Sequence, residues 1–83
     1  MEKEFIQKYV DKLKLRGEVK KITRVELIPN GFKIYYLITR EYAAKYNLDF
    51  TARIFEYNLT IPNLSNTREY VDTNYVYGID LTK

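Results

Sequence analysis

The chain has 83 residues, 46% hydrophobic and 16% aromatic, with 14 lysines and arginines against 11 acidic residues. That apolar supply suits one small folded domain over residues 1–83 and is too rich for intrinsic disorder. Cysteine and histidine are both missing. This excludes disulfides, thiolate and imidazole metal sites, and nucleophilic catalysis of the Ser-His or Cys-His kind.

The opening "MEKEFIQKYV" places charges at positions 2, 3 and 4 with no apolar run behind them, so it does not read as a signal peptide. No stretch reaches transmembrane length. The expected setting is intracellular, without a membrane role. Phe5, Tyr9 and Leu13, with Ile6 and Val10, recur at helical spacing, and charged or polar residues fill the other face. Gly17 follows Lys14 and Arg16, as at a helix C-terminus. A helix over about residues 3–16 is expected.

A hairpin is expected next. "VKKITRVELI" alternates, with Thr23, Val25 and Leu27 on one side and Ile22, Arg24, Glu26 and Ile28 on the other. "PNG" breaks the run, Pro29 suiting a turn and Gly31 a left-handed position after it. "FKIYYLIT" then sets Phe32, Ile34, Tyr36 and Ile38 on a core face and Lys33, Tyr35, Leu37 and Thr39 on the second face. "TREYAAKYN" shifts to helical spacing through Tyr42 and Tyr46, with Thr39 as its cap and Asn47 at its end.

In "FTARIFEYNLTI" the apolar phase changes midway, from Phe50, Ala52 and Ile54 to Phe55, Tyr57, Leu59 and Ile61. Either a bulge or a central strand covered on both faces accounts for that. "PNLSNT" reads as loop. A last strand is expected over residues 70–81, carrying Val71, Tyr75, Tyr77, Ile79 and Leu81. The fold class is therefore α+β: an N-terminal amphipathic helix on a four-stranded, mostly antiparallel sheet, in the order α-β-β-(short α)-β-β. Phe32, Tyr36, Tyr75 and Tyr77 are expected beneath the helix with Phe5 and Tyr9.

One helix of this length cannot shield both faces of such a sheet. The second face is expected to keep Tyr35, Leu37, Phe55 and Tyr57 as a tyrosine-rich contact surface, which suits a protein partner or a homodimer. The function expected from this is a small non-enzymatic protein-interaction domain, an adaptor or inhibitor. The alternative is nucleic-acid binding. Residues 12–24 hold Lys12, Lys14, Arg16, Lys20, Lys21 and Arg24 against Glu18 alone, while the chain as a whole carries only +3. Tyr35 and Tyr57 are the stacking candidates for that role.

Catalysis ranks last. Gly17, Gly31 and Gly78 are isolated, so no phosphate loop forms, and Asp72 and Asp80 are too far apart along one strand to share a metal. No cofactor and no small-molecule substrate are implied. A histidine-free, toxin-like ribonuclease built on Lys, Arg and Tyr is the remaining catalytic option. Lys, Asn, Ile, Tyr and Phe make up 36 of the 83 residues, as in AT-rich genomes. With Cys, His and Trp absent, this composition is expected of an archaeal virus or mobile element.

Overall fold

The structure is a computed structural model and describes residues 2–48 and 51–71. Helix α1 spans Lys3–Lys14, with Val10 and Leu13 buried and Phe5, Ile6 and Tyr9 packed beside them. Glu4 lies in its first turn and Lys12 and Lys14 in its last, each sign opposing the nearby end of the helix dipole. The helix ends short of residue 16. Leu15 and Arg16 close the last turn onto the carbonyls of Asp11 and Leu13, and Leu15 is right-handed. Gly17 is not left-handed, so it is no glycine cap.

Strands β1 (Val19–Ile28), β2 (Gly31–Ile38), β3 (Ala52–Asn58) and β4 (Thr67–Tyr70) follow, with helix α2 (Arg40–Lys45) between β2 and β3. The sheet order is β1-β2-β3-β4 and every pair is antiparallel. The α+β class and the element order match the sequence reading. At the first turn the left-handed residue is Asn30, at φ 66°, rather than Gly31. Gly31 is needed for space, since a Cβ there would lie 1.8 Å from the Tyr57 carbonyl oxygen. Helix α2 starts as expected: the Tyr42 N–H donates to Thr39 Oγ1 at 3.1 Å. It ends before Asn47, which is left-handed at φ 54°.

The core gathers Phe32, Ile34, Tyr36 and Ile38 of β2 under Val10 and Leu13 of α1, with Ala43 of α2. Two faces differ from expectation. Phe32 stands opposite Tyr57, and Ile34 opposite Phe55, so Phe55 and Tyr57 lie on the helix side of the sheet. The register between β2 and β3 is unbroken, which leaves the covered central strand, not a bulge, as the cause of the phase change in β3.

The irregularity lies in β1 instead, where the register slips between Val19 and Lys21 and between Ile22 and Arg24. Thr23 Oγ1 donates to the Tyr35 carbonyl at 3.1 Å across the second slip. This extra residue puts Ile22 opposite Tyr36, on the same face as Val25 and Leu27. Strand β4 begins within the stretch read as loop. Of the strand expected over 70–81, Tyr70 ends β4 and Val71 is not in a strand, while Tyr75, Tyr77, Ile79 and Leu81 lie outside the described residues. Among the described residues no helix is long and apolar enough to cross a membrane.

Candidate interaction surface

The helix side of the sheet is closed by aromatic packing. Phe5 meets the Tyr57 ring edge-on at 5.0 Å, Tyr9 lies 5.4 Å from Phe55, and Phe32 stacks on Tyr57 at 5.4 Å. Edge-to-face and offset pairs of this kind add about 0.5–1.5 kcal/mol each beyond the area they bury. Beside them Tyr9, Lys12, Leu13, Arg16, Phe55 and Thr67 line a shallow groove of about 340 Å³. The Lys12 ammonium sits over the Tyr9 ring, 5.4 Å from its centre.

A polar clamp closes one end of that side. Arg16 contacts Glu18 at 2.5 Å and Glu69 at 3.0 Å. The Tyr36 hydroxyl donates to Glu69. Burial raises the Tyr36 phenol well above its ordinary pKa, and the bond to Glu69 adds to the effect. Partial burial opposes the Arg16 charge, but the bonds and fields of Glu18 and Glu69 outweigh it and raise its pKa. Tyr36 is a neutral donor here and Arg16 a neutralised cation. The clamp ties the segment that follows α1 to β2 and β4.

The second face is also closed. Tyr35 is only 6% exposed, and Ala52 and Ile54 are fully buried. The Tyr35 hydroxyl donates to Glu26 at 2.7 Å, and Arg24 lies over its ring at 4.3 Å. Burial and the bond to Glu26 raise the Tyr35 pKa. Glu56, 3% exposed, accepts from Arg68 Nε at 2.7 Å and from the Asn58 amide at 3.1 Å. The four residues expected to form one contact surface are therefore separated. Tyr35 and Leu37 belong to this face, and Phe55 and Tyr57 pack under α1. Their spacing along each strand was readable, but the relative parity of β2 and β3 comes from the pairing that follows α2.

The basic segment is likewise divided. Arg16 is held on the helix side by two carboxylates, whereas Arg24 lies on the second face within 3.9 Å of Glu26. Lys12, Lys14, Lys20 and Lys21 are exposed. The six cations thus do not converge on one surface.

Among the described residues the edge of β1 stays open. As the first strand of the meander it has β2 on one side, and among the described residues nothing pairs with the other. Its first half is irregular, with two register slips and Lys20 and Lys21, features that discourage strand addition. Residues 24–28 run in regular register with β2. Because the Tyr35 carbonyl faces β1, its partner Arg24 points its backbone at β2, and Val25 and Leu27 point theirs away from β2.

The same two residues are apolar and exposed, Val25 at 42% and Leu27 at 69%. Leu59, 58% exposed, extends the apolar rim through a shallow depression shared with Leu27, Ile28, Asn30 and Gly31. This surface was present in the sequence as the alternation of "VELI", but which strand forms an edge is decided by sheet order. In comparison with known proteins, no family model, no curated protein and no solved structure matches this chain.

Proposed function

We propose that the chain is a small, non-enzymatic protein-interaction domain acting inside the cell, and that it binds by accepting a β-strand of a protein partner along the edge of β1. The observation that carries this reading is the coincidence, at Val25 and Leu27, of outward backbone groups with exposed apolar side chains. Strand addition takes its affinity from main-chain hydrogen bonds and its selectivity from alternate side chains, and residues 24–28 offer both. The contact moves from the tyrosine-rich face to the edge because Tyr35 is enclosed and Phe55 and Tyr57 serve the helix.

The test is a selection of short extended peptides by display on the immobilised domain. Selected peptides are expected to protect the Val25 and Leu27 amides from hydrogen exchange and to be lost on Val25→Lys/Leu27→Lys. Peptides that bind the doubly substituted domain as well as wild type, with no protection at the edge, would remove the reading.

A further inference from the structure

We infer that the strand accepted by β1 is β1 of a second copy, paired antiparallel about a two-fold axis at Val25. The inference rests on the edge-binding reading above and adds the partner and the register. It follows from the charge pattern of the edge and the direction of its backbone.

A two-fold antiparallel pair matches residues whose numbers have a constant sum, and both members of each match share a sheet face. Of the five centres in residues 24–28, those at Leu27 and Ile28 carry the pairing into the turn, where Pro29 has no N–H to give, which leaves three. Centring on Arg24 sets two guanidinium groups opposite one another, and centring on Glu26 sets two carboxylates so; like charges placed this way repel. Centring on Val25 sets Arg24 opposite Glu26 of the second copy, and Glu26 opposite its Arg24. Both charges lie on the face opposite α1, where Arg24 already stands 3.9 Å from its own Glu26. The dimer joins these into a row of four alternating charges.

The backbone agrees with this centre. Val25 directs its N–H and C=O outward, so Val25 and its copy exchange both hydrogen bonds as a close pair. On the other face the same register brings the two Val25 side chains together and sets each Leu27 opposite Thr23 of the copy, withdrawing the exposed Val25 and Leu27 from water. The slip at Thr23 marks where regular pairing ends, so the shared ladder is short and centred. The product joins the four described strands of each copy into one continuous sheet with an α1 helix on each half.

A charge-reversal cycle read by sedimentation equilibrium tests this. Wild type is expected to be dimeric at micromolar concentration. Arg24→Glu and Glu26→Arg each convert two attractive pairs into two repulsive ones and should weaken the dimer about tenfold or more. The double variant Arg24→Glu/Glu26→Arg restores opposite charges and should return to within about threefold of wild type. Circular dichroism melts of each variant confirm that it is folded, and protection of the Val25 amide in hydrogen exchange reports pairing independently.

A monomer at 100 μM overturns the inference, as does a dimer for which the double variant gives no rescue. If the chain is monomeric while edge-binding peptides are still lost on Val25→Lys/Leu27→Lys, the second copy is excluded and the edge-binding reading survives. If neither dimer nor edge-sensitive peptide is found, both fall.

Discussion

Glu56 is a carboxylate almost wholly removed from solvent. Burial alone would raise its pKa, but the bonds from Asn58 and Arg68 and the charges of Arg68 and Lys33 outweigh that and lower it below the usual 4.5. Glu18, beside Arg16, is lowered in the same sense. A carboxyl lowered by folding contributes stability that is complete above its unfolded value and is lost as pH falls through the folded one. Thermal unfolding midpoints should therefore fall progressively below pH 4.5. Glu56→Gln should unfold at lower temperature at neutral pH, by about 1–2 kcal/mol, and lose less on acidification. An acid dependence unchanged by that substitution would show that Glu56 is not its source. A second residue-scale feature concerns the two Asn-x-Ser/Thr triplets. Asn58 Oδ1 accepts from the Thr60 N–H and hydroxyl, and Asn63 Oδ1 accepts from the N–H groups of Ser65 and Asn66. Both triplets serve as turn locks, in which the asparagine carbonyl stands in for a backbone acceptor.

Among the elements, the β1–β2 hairpin holds a glycine that is needed for space rather than for its conformation. Gly31 has ordinary φ, yet the Tyr57 carbonyl passes where its side chain would be. Gly31→Ala should cost about 1–3 kcal/mol by forcing β2 and β3 apart. Gly17→Ala, with nothing within 4 Å of the new methyl group and no positive φ, should be neutral or slightly stabilising. Chemical denaturation of the pair checks both, and equal effects would contradict the close approach at Gly31. The contrast also marks what could be read in advance. Helix α1, the core face of β2 and the Thr39 cap follow from local spacing, and local spacing is what a sequence displays. The slip at Thr23 depends on a hydroxyl reaching the carbonyl of Tyr35, twelve positions away, and the start of β4 depends on Arg68 meeting Glu56. "TREY" has no apolar alternation, so only its pairing with β3 makes it a strand.

At the scale of the whole molecule, the short apolar edge competes as a binding surface with the four exposed lysines of the basic segment, Lys12, Lys14, Lys20 and Lys21. Lys20→Glu/Lys21→Glu lies outside the regular part of β1 and should leave self-association unchanged in sedimentation. An affinity for DNA or RNA that persists above about 0.2 M salt and is abolished by this double substitution would transfer the function to the basic segment. The expected outcome is weak binding that salt removes, because Arg16 and Arg24 are already committed to carboxylates on opposite faces. The candidate surface was harder to read than the fold for a physical reason. Exposure is a property of the assembled sheet, and Tyr35 and Leu27 look alike as apolar members of alternating strands until sheet order makes one central and the other peripheral.

The meander pairs each strand with its neighbour in sequence, but the rings of Phe5 and Tyr9 wait for Phe55 and Tyr57. At ordinary translation speeds the ribosome makes these partners roughly 2–10 s after the helix itself. Throughout that interval the newborn chain carries a greasy helical stripe whose permanent cover has not been synthesised, shielded only by the first hairpin as it emerges.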